Sequence, residues 1–351
     1  MAFFSINNVS IKGIAAATPK NRESNWDYEM LSDSEKKLLI KTTGVEEKRR
    51  APKGMTTSDL CLEAGKKLLH DLKWNAREVD VLIFVSQSSD YYLPATAIIL
   101  QNKIGMNESS LALDIGLGCS GYIYGLSTIS ALMSASGLKK GLLMVGDISS
   151  ATCSKEDKST YPLFGDAGTV TALEFDHKAN PLVFDLFSDG SGYEHIIIPH
   201  GGARNLISTS SFNMEEVSPG IKRSNLNLAL NGLEVFNFSV KKVPATLKDF
   251  LQKTKNDVEN YDYFIMHQAN KLMNESIRKK VGFTVEQTPY TLAKFGNTSS
   301  ASIPLTIVQE LKNKENKVNG NLLLTGFGVG LSWGVCSLVF DNVVCSDLVE
   351  L

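Results

Sequence analysis

The sequence has no apolar run of the ~20 residues needed to cross a bilayer, no Cys-x-x-Cys pair, no Cys/His cluster at metal-ligand spacing, and almost no net charge. Each absence removes a class of protein. Without a spanning run, no membrane is expected as its home. A formal net charge of -2, with 21% charged residues, gives no general attraction to nucleic acid or to an anionic membrane surface. The five cysteines are odd in number and widely spaced, which argues against a disulfide framework and for the reducing cytoplasm. No metal site and no resident cofactor are implied. The start of the chain, from Met1 to Ser10, lacks a basic n-region, and Asn7, Asn8 and Lys12 break its apolar run, so it reads as a first strand and not as a signal peptide. What remains is a chain of 351 residues, long enough for one large domain or two, with ample core.

Strands and helices alternate along it. Residues 9–18 suit a strand that Pro19 ends, and residues 25–43 suit a helical region with a turn or helix start at Ser32 to Lys37. Thr56, Thr57, Ser58 and Asp59 carry the capping signature of a helix, and Leu60, Ala64, Leu68 and Leu69 keep helical spacing up to Leu72. Residues 79–86 form a near-continuous apolar strand of the kind buried on both faces. A helix follows Pro94, and Gly141 to Gly146 is a further buried strand. A turn from Gly165 to Gly168 leads into a strand at 169–175. The alternation argues for an α/β layered fold.

The second half repeats the first. DVLIFVS at 80–86 resembles DYFIMHQ at 262–268, GCSG at 118–121 falls where GNTS at 296–299 does, and GLLMVG at 141–146 resembles NLLLTG at 321–326. The offsets are all about 180 residues and keep the same order, so two similar α/β halves about a pseudo-twofold axis are expected. The halves fall at 1–176 and 228–351. The connection at 177–227, rich in Gly, Ser, Asn and Pro, reads as hairpins and loops. A site at the junction would draw groups from both halves.

Three places carry chemistry. The apolar run 111–115 ends in glycines, Cys119 stands at the break, and the uncharged segment 122–135 follows as a buried helix. A cysteine at a helix start meets unsatisfied backbone N–H groups and the helix dipole, which favour a thiolate; by default, though, a free cysteine is a small buried hydrophobe. His267 should project from the carboxyl end of a strand, where ligands gather in α/β sheets. Asn297 lies in a Gly/Ser/Thr-rich turn ahead of a helix that starts near Ile303 or Pro304, and alone it reads as an ordinary cap. Together the three are more specific, because they fall at corresponding strand ends of the two halves. GFGVGLSWG at 326–334 is no dinucleotide fingerprint: residues 331–340 alternate like a strand, with Trp333, Val335, Ser337 and Val339 on one face, instead of opening a helix. Two strands joined by glycines bring backbone N–H groups close to a small group, as an oxyanion hole requires.

With Cys119, His267, Asn297 and that loop, the sequence resembles the thiolase-fold condensing enzymes, specifically the β-ketoacyl-acyl-carrier-protein synthase III family, from its first strand to about Phe340. The resemblance implies a duplicated five-layered αβαβα fold and a homodimer. It implies a decarboxylative Claisen condensation of an acyl group held on Cys119 with a malonyl thioester on acyl carrier protein, in fatty-acid initiation or a specialised acyl pathway. Cys119 is then the nucleophile. Nε2–H of His267 and the side-chain amide of Asn297 stabilise the enolate, the backbone N–H groups of Cys119 and Val329 form the oxyanion hole, and Phe327 shields the decarboxylation site. Leu93 matches the dimer-loop residue that reaches the partner's acyl pocket, with Tyr91 and Tyr92 as interface aromatics.

Lys271, Arg278, Lys279 and Lys280 form the implied carrier-docking patch. The tryptophan and two arginines that hold CoA in CoA-using members fall at Lys36, Thr42 and Lys158, and these cannot replace planar stacking. An acyl donor on a carrier protein, or CoA bound in another way, is therefore expected. The alternative reading is a non-decarboxylating acyltransferase passing the acyl group to an alcohol, amine or thiol. A third is a non-catalytic carrier-binding subunit.

Overall fold

In a computed structural model describing residues 2–351, the principal strands are β1 (Ala2–Ile6), β2 (Val9–Thr18), β3 (Val81–Val85), β4 (Leu111–Ile115), β5 (Lys140–Asp147), β6 (Ala167–Phe175), β7 (Leu182–Ser188), β8 (Tyr263–Met266), β9 (Lys317–Gly328) and β10 (Ser332–Cys345). The helices are α1 (Asp33–Thr43), α2 (Thr57–Leu72), α3 (Thr96–Ile104), α4 (Gly121–Ser136), α5 (Gly232–Thr254), α6 (Lys271–Val281), α7 (Leu292–Phe295) and α8 (Ser302–Glu310). Ser32 caps α1 and Thr56 caps α2, each in a reciprocal box with Glu35 or Asp59. These boxes satisfy backbone donors that a helix start otherwise leaves bare.

Strands β4, β3, β5, β6 and β2 lie side by side in that order, and β8, β9, β10, β7 and β1 form the second set. Without β4 in the first set and β1 in the second, the two orders correspond in sense as well as position, β3, β5, β6 and β2 matching β8, β9, β10 and β7. β3 and β5 are parallel, as are β8 and β9; β6 is antiparallel to both β5 and β2, as β10 is to both β9 and β7. This is the duplication that the sequence repeat foretells. Val344 and Cys345 of β10 then pair with β2 and join the two sets.

The period-two alternation of the strands sorts side chains into layers. Val81, Ile83 and Val85 of β3 face a central core with Leu126 of α4, Ile307 of α8 and Leu324 of β9. Leu82 and Phe84 face the other way, toward Leu68 of α2 and Leu100 of α3. On the far side, Phe264, Leu323 and Val335 pack on Phe250 of α5 and Ile277 of α6. Each fully buried side chain of this kind stabilises the fold by about 2 kcal/mol through removal from water. The result is helix, sheet, helix pair, sheet, helix: the expected αβαβα sandwich.

Some sequence expectations change. β1 pairs with β7 in the second sheet, not with its own half. The connection expected to be loops at 177–227 opens with β7, a core strand between β1 and β10. Its apolar pattern is interrupted by Asp185, whose buried carboxylate is held by Lys253 at 2.8 Å. Beyond it the connection does consist of short strands and turns: Glu215–Ser218 pairs with Ile221–Arg223, and Ile196–Ile197 pairs with Ala229–Leu230 just past its end. Among the described residues, no helix is long and apolar enough to cross a membrane.

Candidate active site

Cys119 immediately precedes Ser120, the N-cap of α4. The end of β9 closes over it. A Cβ on Gly328 would lie 2.5 Å from the Cys119 Cβ and 2.8 Å from its Sγ, and the residue has φ +154°, so only glycine fits here. The next residue, Val329, directs its backbone N–H at the Cys119 sulfur.

His267 follows β8, and its backbone N–H extends the ladder to the Thr325 carbonyl at 2.8 Å. Nδ1 of the ring lies 2.8 Å from Ser302 Oγ, and Ser302 Oγ donates its own proton to the Ser299 carbonyl, also at 2.8 Å. A hydroxyl has one proton to give, so Ser302 accepts from Nδ1–H, and Nε2 of the neutral ring carries a lone pair. Phe327 meets the imidazole edge-on, with ring centroids 5.5 Å apart.

Asn297 follows the one-turn helix α7, which corrects the expectation that a strand end presents it. Hydrogen bonds to the first half take the place of a strand: Asn297 N–H donates to the Leu163 carbonyl at 2.9 Å, and the Asn297 carbonyl accepts from Gly165 N–H at 3.0 Å. Gly296 makes the approach possible, since a Cβ there would meet the Leu163 carbonyl oxygen at 2.7 Å. Asn297 Oδ1 accepts from Ser299 N–H at 2.9 Å, while Nδ2 makes only a long 3.5 Å contact with the Ala269 carbonyl. One of its amide N–H groups is thus held only weakly, and the other is left to meet a ligand. Cys119, His267 and Asn297 line one cavity of about 240 Å³, together with Phe327, Gly328 and Val329.

Burial pushes the Cys119 thiol up to about 11, although the Val329 N–H pulls it down; the charge of Asp147 adds to the rise. The thiolate expected from the helix start is thus corrected, because desolvation outweighs the favourable N–H groups. Burial also lowers His267 to about 4. At neutral pH the resting pair is a thiol and a neutral imidazole, and the Nε2–H expected from the sequence is absent from this ring.

The other expected residues lie apart from the cavity wall. Leu93, Tyr91 and Tyr92 protrude, and Leu93 is 82% exposed. On α6, Lys271, Lys279 and Lys280 are exposed, but Arg278 is buried against Glu275 (2.7 and 2.9 Å) and the Phe283 carbonyl (2.7 Å). Arg278 is spent on holding its own helix, which removes it from the docking set. Lys158 precedes the cavity-lining Ser159, and its side chain lies over Gly220. Lys36 pairs with Asp33 at 3.9 Å, and Thr42 lies half-buried on α1. Sequence reasoning missed Asp147 and Ser302. An acid ending the apolar run 141–146 was the available signal for the first; nothing local marks the second.

Residues 113–190 match the family model described as 3-oxoacyl-[acyl-carrier-protein (ACP)] synthase III, and residues 251–340 match the model of its C terminal. The β-ketoacyl-[acyl-carrier-protein] synthase III of Fusobacterium nucleatum is 31% identical over 94% of this chain and 98% of its own. The enzyme of the same name from Staphylococcus saprophyticus is 33% identical over 94% and 98%. The crystal structure of a 3-oxoacyl-(acyl-carrier protein) synthase from Burkholderia xenovorans LB400 matches with a TM-score of 0.93 at 37% identity, covering 99% of each chain.

Proposed function

Because the chain belongs to the 3-oxoacyl-[acyl-carrier-protein] synthase III family, we propose that it condenses an acyl group held on Cys119 with a malonyl thioester, releasing CO2 and giving a β-ketoacyl thioester. The observation that carries this reading is the one cavity lined by a cysteine, a neutral histidine with its Nε2 lone pair free, and an asparagine with an unspent N–H group.

In loading, the Cys119 sulfur attacks the thioester carbonyl as its proton passes to His267 Nε2. The backbone N–H groups of Cys119 and Val329 hold the tetrahedral oxyanion, each contributing about 3 kcal/mol. The carbonyl re-forms, and the departing thiolate takes the proton from the imidazolium. The malonyl thioester then enters, and its carboxylate charge favours uptake of a proton from solvent by His267 Nε2. As the C–C bond to the carboxylate breaks, CO2 leaves and the electron pair becomes an enolate. Its oxygen accepts from Asn297 Nδ2–H and from the Nε2–H that His267 has now acquired. The enolate carbon attacks the acyl carbonyl, the C–S bond breaks, and the Cys119 thiolate recovers a proton from His267. Phe327, packed on the imidazole, keeps water from the decarboxylating group.

Both acyl groups arrive on acyl carrier protein in this reading. Lys271 follows the cavity-lining Asn270, and with Lys279 and Lys280 it gives α6 a basic face for an acidic partner. Lys36, Thr42 and Lys158 offer no planar stack for an adenine, which supports a carrier-borne primer. The protruding Tyr91 to Leu93 loop supports a homodimer, and five free cysteines support a cytoplasmic setting.

Intact-protein mass spectrometry after incubation with acyl-CoAs and acyl-carrier proteins, followed by CO2 release from malonyl-carrier protein, tests the reading. An acyl mass on Cys119 with CO2 released is expected. Transfer of that acyl group to an alcohol, amine or thiol with no CO2 would install the acyltransferase alternative instead.

A further inference from the structure

Asp147 ends β5 at the junction of the halves, where it is 3% exposed and lines the cavity. Among the described residues no cation pairs with it, so hydrogen bonds alone compensate its burial. Oδ1 accepts from Ser86 Oγ at 3.0 Å, from the Gln87 backbone N–H at 2.7 Å and from Ser88 Oγ at 3.3 Å, all in the segment after β3. Oδ2 accepts from Ser300 Oγ at 3.3 Å. Ser299 and Ser300 belong to the turn that carries Asn297, and Ser299 N–H holds Asn297 Oδ1. One carboxyl group thus ties the first half to the turn that aims the Asn297 amide.

The turn also packs on the nucleophile's helix. A Cβ added to Gly121 would lie 3.4 Å from Ser300 Cβ, and one added to Gly118 would lie 3.3 Å from Ser299 Oγ. A slip of the turn would therefore move Asn297 relative to Cys119. An acid left buried without a counter-charge is costly, and apolar side chains could fill the end of a strand more cheaply if packing were its only task.

We propose that Asp147 is a positioning residue for decarboxylation, fixing the Asn297 turn against the Cys119 loop across the junction of the halves. The inference rests on the condensing function proposed above. It acts chiefly through Asn297, which serves only the enolate step, so it bears more on decarboxylation than on acyl loading, which reaches this turn only through the Ser302 link to His267.

The test compares acyl loading of Cys119 by mass spectrometry with CO2 release from malonyl-carrier protein, in the full-length protein. Asp147→Ala should cut decarboxylation by about 100-fold, the loss expected from roughly 1 Å of misplacement. Loading should fall far less, because removing the Asp147 charge removes one cause of the high Cys119 pKa and offsets any shift of the Ser302 link to His267. Asp147→Asn keeps an acceptor for Gln87 N–H and gains a donor for Ser300, and should recover most of the decarboxylation. Ser300→Ala, which cuts only the far end of the tie, should give a smaller loss in the same direction. If Asp147→Ala does not fold, the last two variants still decide. Equal loss of loading and decarboxylation in the variants, or Asp147→Asn no better than Asp147→Ala, would overturn the positioning role. A wild-type protein that loads acyl groups but releases no CO2 would overturn the condensing reading itself.

Discussion

Cys119 and His267 are both held uncharged by burial, and the direction of each shift sets when the proton moves between them. A thiol raised to about 11 gains thiolate tenfold per pH unit until that value, so alkylation of Cys119 by iodoacetamide, followed by peptide mass mapping, should keep accelerating above pH 9. A plateau between pH 7 and 8 would show a thiolate at rest and revive the helix-start expectation. His267, lowered to about 4, stays in its proton-accepting form at all pH values above that. The acid limb of acyl loading should then lie near pH 4 and not near the ordinary histidine value of about 6.5, as a pH profile of kcat/KM would show. His267→Ala should slow loading by about 100-fold or more, as expected for loss of a general base. The identity of these residues was legible because each stands beside glycines or at a strand end. Their protonation was not, since burial depends on what the rest of the chain packs around them, and the proton on Nδ1 depends on Ser302, thirty-five positions further on.

At the scale of elements, the end of β9 and the helix α6 make separate demands. Gly328→Ala would place a methyl group within 2.5 Å of the Cys119 Cβ. Acyl loading should fall below detection while circular dichroism and thermal unfolding show a folded protein. On α6, Lys279→Glu and Lys271→Glu should weaken carrier-dependent turnover, most strongly at low salt, because exposed charges steer and are screened. Arg278→Ala should behave differently. It strips a charged donor from Glu275 and from the Phe283 carbonyl, so it should lower stability by about 2 kcal/mol in denaturant unfolding with little salt dependence of turnover. The sequence alone could not separate these cations, since all lie on one short helix; burial does. β7 hid for a related reason: Asp185 in its middle looks like loop chemistry until Lys253 of α5 is brought to it.

The fold of the whole molecule was legible from a repeat, because the paired segments kept their order at offsets of about 180 residues, and two of the three pairs fall on equivalent strands, β3 with β8 and β5 with β9. What the repeat could not convey is the exchange between halves, with β1 in the second sheet and the end of β10 on β2. Such long-range pairing leaves no local trace. The same scale sets the last prediction. Tyr92 is 83% exposed and Leu93 82%, with Tyr91 and Ile98 also exposed nearby. Among the described residues, β4, the strand at the margin of the first sheet, pairs only with β3, and its other edge has no partner. An exposed apolar loop beside an open strand edge invites a second chain, since the loop is drawn out of water and the edge gains hydrogen bonds. Sedimentation should therefore show a two-chain species, and Leu93→Asp should shift it toward single chains by burying a charge in the interface. If that loop also closes the acyl end of the neighbouring cavity, the separated chains should load acyl groups more slowly even though Cys119, His267 and Asn297 all come from one chain. A variant that separates the chains yet loads at the wild-type rate would confine the loop to assembly and leave the cavity complete within one copy.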